Sequence, residues 1–199
     1  LKLYDSSPLY TILVDKFAVR RHIAEKIGEE YLIPLVGGPW KSFNEIDFNA
    51  LPNQFVLKCT HDSGGIVICK DKSKFDINAA RDKISRSLNR NYYYHGREWP
   101  YKNVTPRIIA EKYMEDQSDK ELMDYKFFCF NGEPRIILVC TNRFSNDGLQ
   151  ENFYDINWNL LEVQRPTHRN SKTSIDRPRN IDNMLYLARK LSENIPFVR

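Results

Sequence analysis

The sequence predicts an α+β fold in which antiparallel sheets carry flanking helices. Three observations predict it. QFVLKCT (54–60) and GIVICKD (65–71) are short β-branched and apolar runs, joined by the polar loop HDSGG as a strand–loop–strand unit. DYKFFCFNGEPRIILVCTNR (124–143) sets Asn131-Gly132 between two such runs, a strong short-range hairpin signal. Between and around them the apolar period changes to that of a helix, as in DINAARDKISRSLNR. Strands joined by short loops pair antiparallel, so the sheets are of that kind.

Each element follows in order. In DKFAVRRHIAEKIGEE, Asp15 caps a helix, Val19, Ile23 and Ile27 recur on one face, and Gly28 ends it in a left-handed turn. YLIPLVGGPW reads as a short strand and a loop, and FNEIDFNALPN as a turn of helix leading to Pro52. After the strand pair, Asp76 caps a helix that places Ile77, Ala80, Ile84 and Leu88 together. NYYYHGREWPYKNVTP is aromatic, polar and irregular, a loop packed over other structure. RIIAEKYME (107–115) is a strand that ends in charge. ENFYDINWNLLE gives a weaker strand or strand pair around Ile156–Asn159. Asn180 or Asp182 starts a last helix through Leu185, Ala188 and Leu191, and IPFVR opens a strand.

Composition narrows the function. Hydrophobic residues are 41% and aromatics 13% of the 199 residues, enough for a core and too many for a disordered chain. No apolar run approaches the ~18–20 residues of a membrane span. Residues 1–15 lack the apolar core of a signal peptide, so the expected location is the cytoplasm. The net charge is +4, and the segment RPTHRNSKTSIDRPR (165–179) accounts for all of it. Charge confined to one segment is not the long basic face of a nucleic-acid binder. The segment reads either as a solvated loop or as a flap gripping an anionic substrate through Arg165, Arg169, Lys172, Arg177 and Arg179.

Several chemistries are set aside. Cys59, Cys69, Cys129 and Cys140 form no C-x-x-C pair and have no histidine at ligand spacing, so no metal site is expected of them. Cys59 and Cys69 are equidistant from Gly64 and could face each other across the hairpin; a reduced, buried pair is expected. His61, Asp62 and Ser63 are adjacent and lack G-x-S-x-G, so they do not make a hydrolase triad.

The strongest local signal is FVLKCTHDSGGIVICKD. A strand delivers Lys58 beside two glycines, whose backbone N–H groups can approach an anion. It is not a Walker loop, because G-x-x-x-x-G-K-[ST] is missing and a strand follows. An ordinary Gly-Gly hairpin is the plain alternative. Downstream, IIAEKYMED runs from an apolar strand into charge; strand-edge backbone groups there can pair with an adenine, and Glu115 or Asp116 can take ribose hydroxyls.

The order of these pieces, DKFAVR (15–20), LPNQFVLKCTHDSGG (51–65), PRIIAEKYMED (106–116) and DYKFFCFNGEPRIILV (124–139), resembles the ATP-grasp superfamily. It is most similar to the TupA-like ATP-grasp family, associated with bacterial cell-surface polysaccharide and teichuronopeptide synthesis. The resemblance implies an N-terminal helical segment (1–50), a nucleotide-binding lobe (51–115) and a second lobe (116–199). It implies Lys58 on the α/β-phosphates, Lys16 as a second phosphate-side lysine, and His61, Ser63, Gly64 and Gly65 as a loop closing on the phosphates. Glu111, Lys112 and Tyr113 would be the adenine hinge, Asp116 or Glu115 would hold ribose, and Lys126 would reach phosphate or acceptor. The reaction implied is ATP- and Mg²⁺-dependent ligation of a carboxylate to an amine or similar nucleophile through an acyl phosphate.

The family's metal-binding acids lie on late strands, and Arg199 falls where they should begin. The second lobe is therefore expected to be incomplete, and the chain alone inactive. Two other classes remain open. One is a sugar-nucleotide glycosyltransferase of the same pathways, against which the missing D-x-D counts. The other is a non-catalytic nucleotide-binding or interaction module.

Overall fold

The computed structural model describes residues 5–115, 122–143 and 148–199. The chain divides into two units, Leu1–Tyr113 and Met114–Arg199, each with its own sheet.

In the first unit, α1 (Leu9–Val14) precedes α2 (Val19–Ile27). Asp15 does not cap α2 as expected: its carboxylate accepts the N–H groups of Phe17 and Ala18 in the turn before the helix, whose own N-cap is Ala18 with no side-chain bond. Within the N-terminal helical segment expected of residues 1–50, the sequence reading does not delimit α1, although Leu9, Ile12 and Leu13 recur at helical spacing. Gly28 ends α2 at φ 110° and ψ 154°, a positive-φ turn outside the left-handed helical well.

The sheet of this unit contains β1 (Leu35–Trp40), β2 (Phe55–Cys59), β3 (Ile66–Cys69) and β4 (Ile108–Lys112), in the order β1-β4-β2-β3. All pairs are antiparallel. Alternation along β2 turns Phe55, Leu57 and Cys59 inward, where Ala80 and Ile84 of α3 (Ile77–Leu88) cover them. Asp76 caps α3 by accepting from the Ala79 N–H. The aromatic stretch that reads as loop contains α4 (Tyr93–Gly96) and a 3₁₀ turn at Trp99–Asn103, tied to the N-terminal segment by the Trp99 indole donating to the Asp5 carbonyl.

Register corrects one expectation. Cys69 lies opposite Phe55, while Lys58 lies opposite Ile66, so Cys59 and Cys69 do not face each other. All four cysteines are free and buried.

The second unit has the sheet order β7-β6-β5-β8, from β5 (Asp124–Phe130), β6 (Glu133–Thr141), β7 (Gln150–Asp155) and β8 (Phe197–Val198). Asn131 and Gly132 adopt φ 50° and 81°, the two positive values of the tight hairpin that the Asn-Gly pair signals. Helix α5 (Ile181–Ser192) packs Ile181 and Leu185 on Ile137, Val139 and Tyr154. The Asp155 carboxylate closes the turn after β7 by accepting from the N–H groups of Asn157 and Asn159. IPFVR does form strand, pairing Val198 with Cys129 on β5. Among the described residues no helix is long and apolar enough to cross a membrane.

Candidate functional site

Residues directly opposite in an antiparallel pair point to one face. Val56 lies opposite Ile68 and Glu111, and Lys58 opposite Ile66 and Ile109. These six side chains therefore share the face of the first sheet turned away from α3. It is an apolar platform carrying one ammonium and one carboxylate, with Ile68 38% exposed.

Lys58 does not point freely into solvent. Its ammonium donates to Glu111 Oε2 at 2.5 Å, and Glu111 Oε1 lies 3.5 Å from Arg20 of α2. The Arg20 guanidinium is itself held by donating to the Ile33 carbonyl at 2.7 Å. A nearly buried carboxylate thus clamps two half-buried cations. The ladder across β2 and β4 sets the first pair, and α2 supplies the third group.

Lys16 joins the same cluster. Its backbone N–H donates to the Thr60 carbonyl at 3.0 Å, and its ammonium donates to the Asp62 carbonyl. Burial pushes the Lys16 ammonium below its ordinary 10.5, while the Asp62 charge opposes that shift and the Lys58 charge adds to it. Burial likewise drives the Cys59 thiol up to about 11, so it is not a nucleophile at neutral pH.

The loop between β2 and β3 has a fixed root and an open tip. His61 is buried, with Nε2 at 3.1 Å from the carbonyls of Ser87 and Arg90. Asp62 is buried too; it accepts from the Ser87 hydroxyl and lies 3.9 Å from the Arg90 guanidinium. Both residues pin the loop to the end of α3. A Cβ on Gly65 would run into Ser87 Oγ and the Asp62 carboxylate, so a larger residue forces these buried side chains to shift. Ser63 and Gly64 are exposed, and Gly64 holds φ 108° with nothing within 4 Å of its missing Cβ.

At the end of β4 the backbone of Lys112 is already used, since its N–H donates to the Pro34 carbonyl at 2.9 Å. β4 is an inner strand, so the edge groups expected for adenine begin at Tyr113. The Lys70 ammonium lies over the Tyr113 ring at 5.8 Å. Asp116 lies outside the described residues.

The remaining residues belong to the second unit. Lys126 on β5 has Asp124 at 3.6 Å and the Cys140 sulfur at 3.0 Å. In the basic segment, Arg165 and His168 both meet the buried Glu151, at 3.2 and 3.6 Å, and Arg177 pairs with Asp182 at 2.9 Å. The backbone of Arg169 accepts the Glu151 N–H, so this part of the segment is pinned along β7. Among the described residues the side chains of Arg169, Lys172 and Arg179 pair with no carboxylate.

The resemblance gives Lys16 and Lys58 to the phosphates and Glu111 to the adenine hinge, and the structure sets Lys58 directly on Glu111 with Lys16 close by. The sequence reading missed Arg20, Asp62 and Ser87. A signal for Arg20 exists: it follows Lys16 by four, the spacing that puts two side chains on one side of a helical turn. Among the described residues no three His, Cys, Asp or Glu side chains converge as a metal-ligand set. The carboxylates near Lys58 are each engaged by cations or a hydroxyl.

No curated protein and no solved structure matches the chain. The family described as TupA-like ATPgrasp matches residues 1–199. With two antiparallel sheets, a lysine-bearing strand and a glycine loop in its order, the chain belongs to the TupA-like ATP-grasp family.

Proposed function

We propose that the chain binds ATP on the Lys58 face of its first unit, for use in carboxylate activation. One observation carries this reading. Three cations, Lys16, Arg20 and Lys58, converge beside the glycine loop on a face that also offers the apolar side chains of Val56, Ile66 and Ile68. Phosphates need the charge, and a purine needs the platform.

In this reading Lys58 and Lys16 hold the α/β-phosphates, and Ser63, Gly64 and Gly65 present backbone N–H groups to them. His61 and Asp62 anchor the loop from below. Glu111 aligns the cations, and Lys112, Tyr113 and Asp116 serve adenine and ribose. The carboxylate oxygen then bonds to the γ-phosphorus as the bond to ADP breaks. An amine attacks the acyl carbon, inorganic phosphate leaves, and the amine proton passes to a base. Lys126 is assigned to the transferring phosphate or the acceptor, and Arg169, Lys172 and Arg179 to an anionic acceptor. Synthesis of a bacterial surface polysaccharide is the setting. Mg²⁺ belongs to this reaction class. The described donor set does not fit it, so no step is routed through a metal here.

Calorimetry tests the reading. A charge-assisted contact is worth about 1.5–3 kcal/mol. Lys58→Ala is therefore expected to weaken ATP binding by about ten- to a hundred-fold, with the fold intact, and Gln at Arg169, Lys172 and Arg179 to leave it unchanged. Unchanged ATP affinity in Lys58→Ala removes the central residue. A preference for UDP- or GDP-sugars over ATP turns the reading to glycosyl transfer.

A further inference from the structure

A concave site lies in the first unit, on the α3 side of its sheet. Residues Arg81, Ser85, Leu88 and Asn89 recur at helical spacing and form one stripe of α3. The segment 41–44 runs opposite, and with Pro106 they line an open pocket of about 380 Å³. That is the size of a small-molecule site. None of these residues takes part in the Lys58 cluster.

The pocket has a definite polarity. Arg81 is held in two ways: its Nη1 donates to Asn44 Oδ1 at 2.8 Å, and its guanidinium lies over the Phe43 ring at 5.3 Å. One of its five N–H donors is used by that bond, and the planar fork stays fixed. Lys41 lines the same pocket from the facing segment. Among the described residues, no carboxylate lines the pocket and neither cation has one within 4 Å. The nearby Glu45 does not line the pocket; it accepts from the Lys41 N–H at 3.0 Å and the Ser42 hydroxyl at 3.1 Å. Those bonds fix the loop that presents Lys41.

The other half of the pocket differs. It offers the Ser85 hydroxyl and the Asn89 amide, groups that both donate and accept hydrogen bonds. Such a wall suits hydroxyl groups. Phe43, Leu88 and Pro106 supply apolar contact for C–H faces.

From this we infer a binding site for a small polyhydroxylated anion, a sugar phosphate or a sugar acid. The anionic group sits between Arg81 and Lys41, and the hydroxyls turn toward Ser85 and Asn89. The site stands apart from the ATP reading, since Lys58 points to the opposite face of the sheet.

Titration calorimetry on the full chain tests it with four probes: glucose 6-phosphate, glucuronate, inorganic phosphate and glucose. The phosphate ester or the acid is expected to bind, and which of them does so names the source of the anion. Inorganic phosphate is expected to bind more weakly, and neutral glucose not at all. Arg81→Gln and Lys41→Gln, both at exposed positions, are each expected to weaken binding by roughly ten-fold at an unchanged unfolding midpoint. Lys58→Ala is expected to leave it unchanged. Binding of neither charged sugar overturns the site, as does binding that Arg81→Gln leaves unaffected. Inorganic phosphate binding as tightly as the ester overturns the polyol half. Loss of ligand in Lys58→Ala assigns the binding to the ATP face and overturns the separate site.

Discussion

Replacing Glu111 by Gln removes one negative charge and keeps the side-chain shape. The carboxylate is 10% exposed, and the Lys58 and Arg20 side chains that it holds are 24% and 16% exposed. Removing one partner of a buried pair costs about 3–5 kcal/mol, because the surviving charge is left uncompensated. Two facts reduce that figure here. Lys58 keeps enough contact with water to be screened, and the Gln oxygen still accepts one hydrogen bond. A loss of about 2 kcal/mol follows. With a urea slope of about 2 kcal/mol/M, the unfolding midpoint of the first unit falls by about 1 M. ATP acts in the opposite direction. Its phosphates are anions for the two cations that Glu111→Gln has freed, so a saturating nucleotide is expected to raise the variant's midpoint by more than it raises the wild type's. Urea unfolding followed by circular dichroism, with and without ATP, reads both effects. An unchanged midpoint without ligand refutes the clamp. A variant that gains less from ATP than the wild type refutes the idea that phosphates and Glu111 share the same cations.

Gly65→Ala drives a methyl group into Ser87 Oγ and the Asp62 carboxylate, so a loss of about 1–3 kcal/mol is expected by urea unfolding; an unchanged midpoint would show that the loop root is not packed. Lys16 gives a pH signature. Its folded pKa lies below its unfolded 10.5, so in the window between the two the unfolded chain binds more protons, and stability rises with pH there. That alkaline gain is expected to vanish in Lys16→Met, and ATP affinity to fall across the same window in the wild type; identical pH profiles for the two proteins would count against a buried ammonium at this position.

How much of this was legible in the sequence depends on chain separation. Asn131-Gly132 named its own turn, because positive φ at two successive positions demands those residues. Asp76 announced a helix start through a bond made three residues away, while Asp15 holds only the turn that leads into α2. The pairing of β1 with β4 left no such mark, since Leu35 and Glu111 meet only through the fold. The same holds for Arg20 on Glu111 and for Ser87 beneath Asp62. Family resemblance supplied Lys58 and Glu111 as separate roles. Their direct contact came from register, which puts Lys58 opposite Ile109 and Glu111 two residues further along the same face. The pocket beside Arg81 was invisible, because it needs α3 and the Lys41 loop at once.

The strand order of the first unit sets an assembly schedule. β1 and β2 are sheet neighbours only through β4, which enters between them and comes about fifty residues after β2. Until Ile108–Lys112 has left the ribosome, β2 and β3 can form a hairpin but β1 has no strand to join. At synthesis rates of about 5–20 residues per second, that leaves several seconds in which the inner edge of β2 is open. An unpaired edge is a template for any extended chain nearby. The edge strands of the finished sheet are β1, broken by Gly37, Gly38 and Pro39, and the four-residue β3. The longest exposure to aggregation thus falls before β4 arrives, and the strand that carries Glu111 is also the one that ends it.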